Sequence, residues 1–254
     1  MFVLLAWQLL AQQPFYTDDA DVTPPGKFHM EVTNQTAWLQ PGLFPNLRQN
    51  TSVLHLNYGL RENLELGFDG PLIVLFNAPG TPWLTPYGNG DFNFGVKWKF
   101  HEARAQSRLP ALTLSVAVEA PTGSVRKQLG SGVADVGFTF ITQQSIGKGF
   151  VLHVNNGLLF SGNTLTGAVG IRAQGLVYTG GASVTRQITR DLSLGAELNG
   201  AAARTAGLGK VALQTQVGGS YALSNRLSFD FGGLLGRFEG SPRLGVQVGF
   251  TYDF

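Results

Sequence analysis

The feature that most constrains this chain is a two-residue rhythm in which the charges of its strand-like segments keep to one parity. The segment Arg243 to Phe254, RLGVQVGFTYDF, shows the rhythm in full. Leu244, Val246, Val248, Phe250, Tyr252 and Phe254 occupy one parity, and Arg243, Gly245, Gln247, Gly249, Thr251 and Asp253 the other. Alternate side chains of a strand point to opposite faces, so this ribbon is apolar on one side and polar or small on the other. It is also long enough to cross a bilayer as a tilted strand, which takes roughly 9–11 residues.

The pattern recurs along the chain. Phe92, Phe94, Val96, Trp98 and Phe100 alternate with Asp91, Asn93, Gly95, Lys97 and Lys99, and Leu112, Leu114, Val116 and Val118 with Thr113, Ser115, Ala117 and Glu119. About twelve such segments can be counted from Lys27 onward. Glu31, Glu65, Asp69, Asp91, Lys97, Lys99, Glu119, Asp135, Glu197, Asp230, Arg243 and Asp253 all fall on the polar parity. A Lys or Arg on a lipid-facing surface near the midplane costs roughly 2–4 kcal/mol, which explains the segregation if the apolar parity meets lipid. A soluble lipocalin-type barrel would turn that parity inward instead.

Composition agrees. Charged residues are 13% of the chain, about half the roughly 25% of soluble domains. No run approaches the ~18 apolar residues of a membrane helix. The 34 glycines and 18 phenylalanines suit a barrel whose inner face needs room and whose outer face needs bulk. A net charge of +2 without a basic cluster excludes nucleic acid as a partner, and the absence of cysteine excludes disulfides and thiolate metal sites.

The expected fold is therefore all-β: a transmembrane antiparallel up-and-down barrel of about 12 strands in the bacterial outer membrane. Its organisation reads as a truncated signal peptide over 1–12, a periplasmic leader over 13–26 and a single barrel over 27–254. The connections 40–51, 73–90, 120–132, 161–170, 201–209 and 236–242 are long, while 61–63, 188–191 and 223–226 are short. Outer-membrane barrels show this asymmetry between extracellular loops and periplasmic turns. Within 73–90, Trp83 and Tyr87 are candidates for an apolar mouth.

The inward parity nominates lumen-lining residues: Glu31, His55, Glu65, Asp91, Lys97, Glu119, Asp135, His153, Glu197, Asp230 and Arg243. No catalytic, cofactor or metal motif emerges. A lipid-modifying barrel enzyme must present Ser and His to lipid, whereas His29, His55 and His153 fall on the lumen parity and His101 in a turn. Such histidines read as hydrogen-bonded packing partners. The aromatic ending Phe250, Tyr252, Phe254 resembles the terminal signal read by the barrel-assembly machinery.

Three motifs carry a family resemblance. The leader FYTDDADVTPPGKFHMEV, the stretch Glu119-Ala120-Pro121-Thr122-Gly123, and Gly130-Ser131-Gly132 running into Asp135-Val136-Gly137 resemble the family described as "Putative MetA-pathway of phenol degradation". That resemblance implies a transporter-like outer-membrane barrel taking up small hydrophobic or aromatic solutes, with no catalytic residues to transfer. Ala134 stands before Asp135 where an aromatic residue is expected. A structural or adhesive barrel with a plugged lumen is the alternative, and a lipid-modifying enzyme is third.

Overall fold

The computed structural model of the chain describes residues 14–40, 48–78, 82–103, 109–161, 175–203, 211–238 and 240–254. Segment 1–12, expected to be a signal peptide, lies outside the described residues, as does most of 161–170 and of 201–209. Among the described residues, thirteen strands follow the leader. They are β1 (Phe28–Trp38), β2 (Arg48–Arg61), β3 (Leu64–Phe76), β4 (Tyr87–Asn89), β5 (Phe92–His101), β6 (Ala111–Ala120), β7 (Asp135–Gly147), β8 (Phe150–Ser161), β9 (Leu176–Gln187), β10 (Leu192–Ala203), β11 (Val211–Ala222), β12 (Leu227–Arg237) and β13 (Leu244–Asp253). Three-residue β4 pairs only with the far end of β3, while β5 pairs with the near end. The other strands pair antiparallel with their neighbours in sequence, and β1 pairs with β13. The result is a closed barrel of twelve staves.

Closure rests on an unbroken seam. β1 and β13 run in register from His29↔Asp253 to Trp38↔Leu244. Beyond the last pair, Phe28 N–H donates to Phe254 O at 2.8 Å and Phe254 N–H returns a bond to Phe28 O at 3.0 Å, with the two rings 5.3 Å apart. Every stave thus spends its backbone groups on two neighbours, as a bilayer demands.

The two parities take the faces expected of them. Phe94, Trp98, Phe138, Val248 and Phe250 are among the exposed large side chains, and rings meet across staves on that surface, as in Phe138–Phe160 and Phe229–Phe250. Buried on the opposite face are Glu31, Glu65, Lys97, Asp135, Glu197 and Asp230.

One segment departs from the rhythm. β3 continues through Pro-Leu-Ile-Val-Leu-Phe to residue 76, into the stretch read as the start of the 73–90 loop. Its inward residues Ile73 and Leu75 pack with Ala37, Leu39, Ala78 and Leu129 in a small buried cluster. Apolar residues on both faces erase alternation, so the strand's far end is not visible in the pattern. Leu129 comes from the loop after β6, which folds inward over this end of the barrel.

Position 248 lies near the middle of β13 on the outer face. Val248→Arg should lower barrel stability by about 2–4 kcal/mol, measured by guanidinium unfolding in lipid vesicles. Loss of less than 0.5 kcal/mol would contradict the assigned face.

Candidate functional site

The lumen is occupied by the chain's own leader. It enters over Gly59, where Pro25 bridges Gly59 and Gly26 N–H bonds Gly59 O at 2.8 Å. A Cβ at residue 59 would lie 2.1 Å from Pro24 O, so only glycine admits the chain here. The segment expected as a periplasmic leader thus makes its contacts with the inner wall.

Those contacts come from staves all round the barrel. Glu65 on β3 accepts both the N–H and the hydroxyl of Thr23, each at 2.6 Å. Lys97 on β5 reaches Asp18 at 2.9 Å and Asp19 at 3.2 Å. Thr113 on β6 donates to Ala20 O at 2.6 Å, and Gln143 on β7 accepts from Ala20 N–H at 2.8 Å. Across the barrel, Glu197 on β10 accepts the Thr17 hydroxyl at 2.6 Å, and that hydroxyl also meets Ser183 on β9. Gln216 on β11 and Gln247 on β13 donate to Pro14 O, and Tyr16 pairs with Gln35 on β1.

Lys97, only 4% exposed, answers two leader carboxylates in a setting where an unpaired ammonium would be costly. Burial drives the Asp18 carboxyl well above its ordinary range, against the pull of Lys97 and with a push from Asp19.

Wall glycines shape the bed on which the leader lies. A Cβ at Gly181 would meet Thr17 Cγ2 at 2.6 Å, one at Gly195 would meet Phe15 Cζ at 2.8 Å, and one at Gly218 would meet Pro14 Cγ at 3.1 Å. These glycines leave the space that the leader fills.

The other nominated residues fall into separate groups. His55 pairs with Asp69 at 2.7 Å, and His29 bridges Glu31 at 2.9 Å and Asp253 at 2.6 Å near the turn end. His153 meets Ser183 at 3.3 Å, and Asp230 accepts from Thr251 at 2.7 Å. At the loop end Asp91 accepts the backbone N–H groups of Gly123 and Ser131, pinning the inward loop after β6. Glu119 and Asp135 stand opposite each other on β6 and β7 nearby. Arg243 is the exception among the nominated set: its side chain is exposed at the loop end, and its N–H bonds Trp38 O at 2.7 Å. Phe250, Tyr252 and Phe254 are exposed on the outer surface.

Cavities remain beside the leader, and two of them adjoin. One, of about 290 Å³, is lined by Asp18, Glu65, Lys97 and Asp253, among others. The other, of about 380 Å³, is lined by Phe15, Gln143, His153 and Asp230, among others. Asp19, Asp21, His29 and Glu31 line both, so the two spaces adjoin. Among the described residues, no group of three or more His, Asp or Glu side chains could hold a metal ion.

Thr17, Asp18, Asp19 and Thr23 lie outside the two-residue rhythm, since the leader is not a strand. The discernible signal was its density of short polar side chains, which suit close backbone packing against a wall.

Lys97→Met should loosen the leader, because it strands two carboxylates in the lumen; breaking such a buried pair costs about 3–5 kcal/mol. Cysteine labelling at position 20, fully buried in the wild type, should become at least tenfold faster. An unchanged labelling rate would show that the clamp does not hold the segment.

No curated protein matches this sequence. Among solved structures, the COG4313 outer membrane channel from Pseudomonas putida F1 superposes with a TM-score of 0.70 at 17% identity, over 93% of this chain and 98% of that one. The KdgM porin gives 0.56 at 11% identity over 89% and 99%. The CymD monoaromatic hydrocarbon channel gives 0.50 at 8% identity over 91% and 89%. At these identities the likeness is one of fold. A family profile matches residues 13–254, leader and barrel together. The chain belongs to the family described as "Putative MetA-pathway of phenol degradation".

Proposed function

We propose that this protein is an outer-membrane channel for small hydrophobic or aromatic solutes, held shut by its own leader. The observation that carries the reading is the nature of the plug. Asp18, Asp19, Thr17 and Thr23 hold the leader through charged and hydrogen-bonded contacts that water can replace. A segment meant only to fill a core would bury mainly apolar side chains; here Pro14, Phe15 and Ala20 are the buried apolar ones, beside buried Thr17, Asp18 and Thr23.

The solute class draws support from the family's description and from the resemblance in fold to a channel described for monoaromatic hydrocarbons. Small aromatic molecules need only a narrow path, and the cavities of about 290 and 380 Å³ beside the leader are of a size to hold one. A non-enzymatic role accords with the channels and porins among the structural neighbours.

A sealed structural barrel is the second reading, and the number of leader contacts favours it. Planar-bilayer recording separates the two. The wild type should show small, infrequent conductance steps, and a variant lacking residues 14–23 should show steps at least severalfold larger. Cells making the wild-type protein should also accumulate radiolabelled toluene faster than cells without it. Identical silence from both proteins, with no gain in accumulation, would sink the channel reading.

A further inference from the structure

At the loop end of the barrel, cations lie over aromatic rings. Arg48 lies 5.8 Å over the Phe76 ring, Arg126 5.4 Å over Trp83, and Lys127 5.4 Å over Tyr87. None of the three cations forms an ion pair among the described residues. The carboxylates near this end, Asp91, Glu119 and Asp135, are buried, and Asp91 is already engaged by two backbone N–H groups.

The placement of this cluster is specific. Tyr87 pairs with Val74 across β3 and β4, and paired residues share a face, so Tyr87 extends the lipid-facing surface at the loop end. Tyr87 is 69% exposed, beside the exposed Leu72, and Leu84 is exposed in the same connection. Lys127 Nζ donates to Tyr87 O at 3.2 Å, which sets the ammonium at the edge of that surface. Aromatic residues of this kind sit at the head-group level of a bilayer, with apolar side chains below and cations above.

We propose that the rim formed by Arg48, Arg126 and Lys127 over Phe76, Trp83 and Tyr87 docks a phosphorylated glycolipid of the outer leaflet. The guanidinium groups and the ammonium meet the lipid's phosphates, and Leu72, Leu84 and Tyr87 lie along its acyl chains. Charge selects the occupant: two guanidinium groups and an ammonium without carboxylate partners match a multiply charged anion, and guanidinium offers paired donors to phosphate oxygens. Exposed apolar side chains directly beside them match an anion that carries hydrocarbon. A free anion would have no use for that second surface.

Native mass spectrometry of the detergent-purified full chain tests this, with bisphosphorylated lipid A and its dephosphorylated form as probes. The wild type should retain the phosphorylated lipid, and the double variant Arg126→Ala, Lys127→Ala should bind it about tenfold more weakly. Arg190→Ala, in a turn at the opposite end, should bind like the wild type. Heat-modifiable migration on gels verifies that each variant forms a barrel. If the double variant does not assemble, Arg126→Gln and Trp83→Ala, made singly, should each weaken retention severalfold. Equal retention of the two lipids, wild-type binding by the variants that assemble, or displacement of the lipid by millimolar inorganic phosphate would overturn the proposal.

Discussion

The whole structure depends on one constraint: hydrocarbon surrounds the staves, so every charge they carry must be satisfied within the barrel or at its ends. Closing the sheet gathers carboxylates from many staves into a narrow space where an unpaired charge is expensive. The protein meets that cost in two ways. Some acids pair along the wall, as Asp69 does with His55 and Glu31 does with His29. Others hold the leader: Glu65 and Glu197 grip its threonines, while Lys97 grips its aspartates. The leader is therefore part of the charge balance of the lumen as well as its obstruction.

That division explains what could be read from the chain and what could not. The staves were legible because lipid on one side and polar contents on the other enforce period two, as in Phe92 to Lys99. Buried charge at Glu31, Lys97, Asp135 and Asp230 followed from the same parity. Parity names a face but not a depth. Arg243 has the inward parity, yet stands before the first residue of β13, where the barrel ends and its side chain reaches solvent. The far end of β3 was hidden because Ile73 and Leu75 meet an apolar loop residue, Leu129, inside the barrel.

The leader's position was the least legible feature. Its contacts are with residues from 19 to 233 positions away in sequence, such as Gln35 for Tyr16 and Gln247 for Pro14. No local periodicity encodes them. The complementary evidence lay in the wall glycines, which parity assigned to the lumen side as room for facing side chains. Gly195 does provide such room, but the side chain that occupies it, Phe15, comes from the leader and not from another stave.

Glycine in a stave has a cost, since it packs nothing and loses the most backbone freedom on folding. Gly181, Gly195 and Gly218 are distributed over β9, β10 and β11, opposite the staves that carry Glu65 and Lys97. The cation that meets the leader's acids thus comes from one side of the lumen, while the other side offers space at its glycines together with the carboxylate of Glu197. The leader lies against a polar, glycine-bearing wall with its acids turned toward Lys97 and Lys99 of β5. Release of a segment held in this way would leave the pairing of the staves intact. The ladders from β1 to β13 are complete without it, and the polar groups it leaves behind can be taken up by water entering the space it vacates.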